Sequence, residues 1–264
     1  MAGERGKCHV TSDVVVSSYG PHFGEEAPLV GQHGSGTIFF TYCNLRCRYC
    51  QNYTISQLGE GSVVSREQLA EMMLSLQAKG CHNINLVSPT HVVPHILESL
   101  ELAVSRGLYL PLVYNSGGYD LVETLKLLDG IVDIYMPDMK YSDAKIGEEL
   151  SGVKDYPEVN KAAVGEMHRQ VGDLQMDKTG VAQRGLLVRH MVLPNRLAGT
   201  QEVVRFLAQE VSTNIHLNIM AQYHPCYHAF EMPLLSRPVR SEELTEAINL
   251  AQQQGLSRLH RKES

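Results

Sequence analysis

Short apolar runs and helical stripes alternate along this chain. Residues 36–41, "GTIFFT", are rich in β-branched and aromatic side chains and end against a polar loop, the signature of a buried strand. Residues 65–80 read as a helix. Ser65 and Gln68 make a capping-box pair, Leu69, Met72, Met73 and Leu76 recur at helical spacing, and Gly80 stops the pattern. "NINLV" (83–87) predicts a second strand. Residues 93–106 predict a helix with Val93, Ile96, Leu97, Leu100 and Val104 on one face and Gly107 beyond its end. Further strands are expected at 110–114, 131–135, 186–193 and 215–220, with helical patterns between them. Residues 152–180 predict a helix and a polar loop near 177–180. The last helix starts near Ser241 and turns Leu244, Ala247, Ile248 and Ala251 inward.

Six β/α units with short apolar strands imply a parallel sheet covered by helices. Both an open, partial barrel and a doubly wound sheet satisfy the pattern, and in both the ligands gather at the C-terminal strand ends. That rule organises the polar residues. Cys43, Cys47 and Cys50 follow the first strand and "SPTH" (88–91) the second. "NSGG" (115–118), "PDMK" (137–140) and "AQYHPCYH" (221–228) follow the third, fourth and sixth. Arg189 sits between apolar residues of the fifth, where an unpaired cation would be costly. Taken singly, Thr90, Asn115 and Ser116 read equally well as turn or cap residues. Five strand ends carrying such groups at one rim read as a site.

Composition adds bounds. The chain has 264 residues, 43% hydrophobic and 20% charged, which suits one α/β barrel. We expect residues 36–264 to form that single domain, with residues 1–35 packing on it. No 20–50-residue repeat or Pro/Gly/Ser-rich linker divides the chain. A net charge of −6 argues against bulk nucleic-acid binding. No apolar run is long enough for a membrane span, and "MAGERGKCHV" lacks the apolar core of a signal peptide. A cytoplasmic, reducing location is therefore expected, where cysteines read as metal or redox ligands before disulfides.

Three cysteines in "TYCNLRCRYCQNY" (41–53) have the spacing C-x3-C-x2-C. Three thiolates on one loop suit a [4Fe–4S] cluster that normally takes four, leaving one iron with an exchangeable position. The same set fits a Cys3His zinc site with His33, His82 or His91 as a distant fourth ligand. A non-catalytic iron–sulfur or zinc module would need these cysteines but have no use for Asp138, Lys140 and Arg189. Cys81, between a helix end and a strand, reads as a small buried hydrophobe.

"CNLRCRYC" after a strand resembles the signature of the radical S-adenosylmethionine (SAM) enzymes, C-x3-C-x-aromatic-C, with Tyr49 as the aromatic. Together with "NINLVSPTHVVPHI", "YNSGGYD", "IYMPDMKY", "RHMVLPN" and "QYHP", it is similar to the pyruvate formate-lyase-activating-enzyme-like branch. The resemblance implies a partial (β/α)6 barrel and a [4Fe–4S] cluster on Cys43, Cys47 and Cys50. It also implies SAM cleavage to a 5′-deoxyadenosyl radical that abstracts hydrogen, possible targets being a glycyl-radical enzyme, a peptide or a small molecule. Reduced flavodoxin or ferredoxin would be the electron donor. The family's D-x-K element falls on Asp138 and Lys140, its strand-five arginine on Arg189, and its late Y-H element on Tyr223 and His224. Tyr49, Thr90, Asn115, Asp138, Lys140, Arg189 and His224 are the SAM contacts it implies.

Two features depart from that branch. The G-G-E element that holds the SAM amino group is replaced by Ser88-Pro89-Thr90-His91, where Thr90 offers an oxygen. "GERGKC" (3–8) resembles the end of a longer cysteine-containing segment whose upstream cysteines this sequence lacks. Cys226, beside His224, is expected near the rim. It reads as a hydrogen donor, as a fourth ligand closing the cluster, or as a packed side chain.

Overall fold

The computed structural model describes residues 12–260, so Cys8 and the segment 3–8 lie outside the described residues. β1 (Val14–His22) leads through the one-turn α1 (Ala27–Val30) to β2 (Ser35–Phe40), and the cysteine loop follows. After α2 (Tyr53–Ser56) and β3 (Ser62–Val64), helices and strands alternate: α3 (Arg66–Ala78), β4 (Ile84–Val87), α4 (Val93–Ser105), β5 (Leu112–Ser116), α5 (Val122–Lys126) and β6 (Ile134–Pro137). Two helices come next, α6 (Ala144–Ser151) and α7 (Tyr156–Val171), then a hairpin of β7 (Gln175–Met176) and β8 (Ala182–Met191). α8 (Thr200–Phe206), β9 (His216–Met220), α9 (Ser241–Gln253) and β10 (Leu259–His260) complete the described chain.

The six strands expected from the sequence are β2, β4, β5, β6, β8 and β9. They lie side by side in that order, each parallel to the next. β1 and β3 add antiparallel strands beyond β2, and β10 adds a parallel one beyond β9. Among the described strands no pairing joins the two ends, so the sheet is an unclosed, partial parallel barrel rather than a doubly wound sheet. Residues 14–22 of the expected N-terminal packing segment are hydrogen-bonded into this sheet. No helix of the described residues is long and apolar enough to cross a membrane.

The side chains of each strand divide by parity. Ile84, Leu86, Tyr114, Tyr135, Leu186, Val188 and Leu217 face the helices and form the main core with Leu69, Met73, Ile96, Ala103, Val164 and Met167. Val113, Ile134, Met136 and Leu187 face inward, where Leu29 of α1 plugs the barrel floor. Going up the same inner faces, Val113 is followed by Asn115 and Leu187 by Arg189. The polar groups therefore start where the apolar plug ends.

Several local expectations shift. Strands β5 and β6 begin two or three residues later than the apolar runs suggest. Pro111 has no N–H to give the ladder, and Ile131 and Val132 still donate to Leu128 O as the end of the preceding turn. Val104 is 60% exposed. The buried face of α4 runs through Val93, Ile96, Ser99, Leu100 and Ala103 instead, an arc centred on Ile96. The Ser65–Gln68 capping box is present with both its bonds.

Candidate active site

The cysteine loop leaves β2 through Tyr42, whose φ of 70° turns the chain sharply. The end of α6 then clamps it. Arg46 N–H donates to Ser151 O at 3.1 Å and Arg48 N–H to Leu150 O at 2.8 Å, on either side of Cys47. Cys43, Cys47 and Cys50 line one cavity of about 230 Å³ together with Asn115, Asp138, Lys140 and Arg189. The thiols have separate partners: Leu45 N–H donates to Cys43 Sγ at 3.4 Å, Ser151 Oγ lies 2.9 Å from Cys47 Sγ, and Ser56 Oγ lies 3.1 Å from Cys50 Sγ. Burial, and then the neighbouring Cys47, push the Cys43 thiol up to about 12. Burial also raises Cys47, against the pull of Lys140. A metal centre bound here must displace these protons.

A charged group shares the cavity with the thiols. Asp138 Oδ1 accepts from Arg189 Nε at 2.9 Å, and Oδ2 accepts from Lys140 Nζ at 2.7 Å. Arg189 Nη2 also donates to Asn115 Oδ1 at 2.8 Å. Burial acts to raise the Asp138 pKa, but Arg189 and Lys140 outweigh it and hold the carboxyl below the usual range. Arg189 Nη1 also lies 4.0 Å from Oε1 of the buried Glu26, which does not line the cavity, so two cations meet two carboxylates at this corner. α7 fixes this corner from behind. Asn160 Nδ2 donates to Asp138 O and Gly118 O, both at 2.9 Å, and Tyr156 Oη accepts from Lys140 N–H at 3.0 Å.

The remaining expected contacts are placed as follows. Tyr49 is buried, lines the cavity, and its Oη is 2.6 Å from Tyr141 Oη. Thr90 turns away from the cavity and donates to the buried Asp120 at 2.7 Å. The side chain from that segment that lines the cavity is Ser88, held at φ 57°. His224 is exposed, outside the cavity lining, with Nδ1 3.3 Å from Gln51 Nε2. Tyr223 is buried and donates to Leu235 O at 2.6 Å. Cys226 is half-buried and does not line the cavity, whereas Cys81 is packed in the main core.

Sequence reasoning did not single out Ser88, Gly117, Met191, Met220 or Gln222, all of which line the cavity. Met191 was within reach, because it shares the face of Arg189 two residues on. Gly117 was legible only as a turn. A Cβ there would meet Leu45 Cδ1 at 2.8 Å, so its lack of a side chain keeps the cavity wall back.

The donor set fits an iron–sulfur cluster with an open position. Three cysteines of one loop line a common cavity with Asp138, Lys140 and Arg189, and no other cysteine lines it. A mononuclear zinc site draws its ligands together at one point, and among the described residues no three His, Cys, Asp or Glu side chains are so gathered. Neither do His33, His82 or His91 line the cavity. His82 accepts from the backbone of Gln32 and His33, and His91 Nε2 bonds Thr41 O.

Comparison with known proteins agrees with this geometry. Residues 37–173 match the Radical SAM superfamily family model. Uncharacterized protein MJ0674 of Methanocaldococcus jannaschii is 32% identical over 266 residues, covering 97% of this chain and 72% of that protein. MJ0808 of the same organism is 26% identical over 220 residues, covering 81% and 59%. Among solved structures, a radical SAM methyltransferase from Sphaerobacter thermophilus has a TM-score of 0.54 at 13% identity, covering 86% of this chain and 65% of its own. Streptococcus suis SuiB bound to S-adenosylmethionine has a TM-score of 0.55 at 11% identity, covering 84% and 48%. The hydrogenase maturase HydG from Carboxydothermus hydrogenoformans has 0.56 at 15%, covering 83% and 50%. At these identities the solved structures establish the fold alone, and this chain spans about half to two thirds of their lengths. By its matching family model, this chain belongs to the radical SAM superfamily, whose cofactors are a [4Fe–4S] cluster and S-adenosylmethionine.

Proposed function

We propose that this chain holds a [4Fe–4S] cluster on Cys43, Cys47 and Cys50, binds SAM between that loop and the Lys140–Asp138–Arg189 group, and abstracts hydrogen from a protein or peptide segment, as activation of a glycyl-radical enzyme requires. The observation that carries it is the single cavity lined by all six side chains. When bound, the two cofactors and one electron from reduced flavodoxin or ferredoxin supply a 5′-deoxyadenosyl radical. The chain supplies binding and orientation. Three thiolates leave one iron position for an exchangeable ligand. Lys140 and Arg189, the cations that line the cavity with the thiols, suit a ligand carboxylate, and Asn115 Oδ1 holds Arg189 Nη2. Both oxygens of Asp138 are already paired, so its part is to hold Lys140 and Arg189 in place. Gly117 leaves room for close approach.

The peptide reading draws its support from the cavity mouth. The exposed side chains there are the amides Gln51, Asn52 and Gln222. Uncharged amides carry donors and acceptors that match a peptide backbone without selecting a charge. The test begins with anaerobic reconstitution with iron and sulfide, then addition of SAM and dithionite and measurement of 5′-deoxyadenosine. Without 5′-deoxyadenosine the SAM assignment fails. If it forms, a peptide deuterated at Cα should pass deuterium into it, and a glycyl-radical enzyme should acquire an organic radical signal. Deuterium transfer from small molecules only would assign the other substrate class.

A further inference from the structure

Cys47 is tied to more than its own loop. Its Sγ lies 2.9 Å from Ser151 Oγ, Ser151 Oγ lies 2.8 Å from Tyr141 Oη, and Tyr141 Oη lies 2.6 Å from Tyr49 Oη. All four residues are buried, Ser151 completely. Ser151 is the last residue of α6, and its carbonyl oxygen also receives Arg46 N–H. The hydroxyl and the backbone of one residue therefore hold the same stretch of loop.

We propose that Ser151 is a positioning residue that sets how readily the cluster is reduced: its hydroxyl donates to Cys47 Sγ, and Tyr141, fixed in turn by Tyr49, keeps that hydroxyl aimed at the sulfur. This rests on the assignment of Cys47 as a cluster ligand. A ligating thiolate has no hydrogen to give, so the 2.9 Å contact is a hydrogen bond only with Ser151 as donor. As the free thiol stands, Tyr141 Oη donates to Tyr49 Oη; with a thiolate at Cys47 the order reverses, Ser151 Oγ accepting from Tyr141 and Tyr141 Oη from Tyr49. In that order every hydroxyl of the chain donates once toward the sulfur. Hydrogen bonds to cluster sulfurs tune the reduction potential, because the reduced cluster carries an extra negative charge that a donor stabilises. Water does not compete at Ser151, and the dry surroundings strengthen the contact. Cys50 has its own hydroxyl neighbour, Ser56, at 3.1 Å. What distinguishes Ser151 is the pair of tyrosines behind it.

The experiment is a redox titration of the reconstituted full chain without SAM, followed by electron paramagnetic resonance. Ser151→Ala should carry wild-type iron and sulfide but a more negative potential, the reduction equilibrium falling about tenfold, or about 59 mV for one electron. Tyr141→Phe should shift it the same way by less, and Ser151→Thr, which keeps the hydroxyl, should return it toward wild type. Ser99→Ala removes a buried hydroxyl bonded to His95 O at 2.7 Å and should change nothing. A loaded Ser151→Ala with the wild-type potential overturns the proposal. If that variant does not hold a cluster, an unchanged Tyr141→Phe overturns it instead. Failure of the wild-type chain to load iron through Cys47 is a different result, and it overturns the ligand assignment beneath.

Discussion

Asp138 and Arg189 are joined through both backbone and side chain. Asp138 forms a parallel bridge with Arg189 just past the end of β6, and Met139 N–H donates to Arg189 O at 2.8 Å. Their side chains then meet again, Arg189 Nε and Nη2 lying 2.9 and 2.8 Å from Asp138 Oδ1. The strand pairing fixes where the ion pair stands, so the charged group that lines the cavity with the thiols is built into the sheet rather than carried on a loop. Truncating one member tests binding or stability according to which charge is left behind.

Arg189→Ala leaves Asp138 paired with Lys140 but takes away the cation beside the buried Glu26, and Lys140→Ala leaves Asp138 paired with Arg189. Both variants should fold and take up iron. Each should bind SAM about ten- to a hundredfold more weakly, the equivalent of about 1.5–3 kcal/mol for one charge-assisted contact. Equilibrium dialysis with labelled SAM measures it. Wild-type affinity in both would remove these residues from the SAM site. Asp138→Ala differs, because it strands Lys140 in a mostly buried place and leaves Arg189 only the 4.0 Å contact with Glu26 as an ion pair. It should cost about 3 kcal/mol of folding stability in a urea titration.

Much of this arrangement was legible before the structure. The apolar runs and the strand-end rule placed the cysteines, Asn115, Asp138, Lys140 and Arg189 at one rim, because inner-face parity and parallel order are properties of short-range pattern. What escaped was set by chain turns and distant partners. Ser88 rather than Thr90 lines the cavity because a residue with φ 57° redirects the segment after β4, and Thr90 finds Asp120 instead. Ser151 lies 104 residues from Cys47 and looks like any residue near a helix C-terminus. β1, β3, β7 and β10 were missed as well. β7 and β10 have two residues each and β3 has three, too few for a periodic signal, and β1 ends on Gly-Pro-His.

Two adjacent glycines should behave differently. Gly118 has φ 71°, and a Cβ on it would sit 2.1 Å from Asp138 O and 2.3 Å from Asn160 Nδ2. Backbone cannot retreat there without moving Asp138. Gly117 would crowd the tip of the Leu45 side chain at 2.8 Å, which can rotate, and meet Lys140 Cε at an ordinary 3.8 Å. Gly118→Ala should therefore destabilise by roughly 2 kcal/mol or more and weaken SAM binding too. Gly117→Ala should stay within about 1.5 kcal/mol of wild type. Equal denaturation midpoints for the two variants would contradict this account of the corner.

His190 gives a pH signature. It is fully buried, with Nδ1 2.7 Å from Met139 O and Nε2 2.9 Å from Thr200 Oγ1. Burial depresses the imidazole from 6.5 to about 4. As pH falls below 6.5 the unfolded chain takes up a proton that the folded chain refuses until about 4. The stability owed to neutral His190 is thus complete above 6.5 and drains away across that window. Between pH 6 and 5 the loss approaches about 1.4 kcal/mol per unit. His190→Asn keeps a donor near Met139 O and cannot titrate, so its stability should fall less steeply over the same interval. Parallel urea-midpoint curves for the two proteins would show that His190 does not carry the effect.

The cysteines divide by what surrounds them, and iron content should divide them the same way. Cys43, Cys47 and Cys50 share the cavity, so Ala at any one removes a ligand that no described neighbour replaces. Each of the three variants should retain little iron after anaerobic reconstitution and give no 5′-deoxyadenosine. Cys81 is 3% exposed among Leu76, Ile84 and the other core residues, so Cys81→Ser should lose stability by burying a hydroxyl but load iron normally once folded. Cys226 is the discriminating position. It is half-buried at the start of the Tyr227–Glu231 turn and outside the cavity lining, where Ala229 N–H donates to its carbonyl oxygen. That placement favours the packing role over a fourth ligand or a hydrogen donor. Cys226→Ser should match wild type in iron, in SAM affinity and in product formed per 5′-deoxyadenosine. Tighter SAM binding in the variant would instead identify a closing ligand, and intact SAM cleavage with stalled product would identify a hydrogen donor.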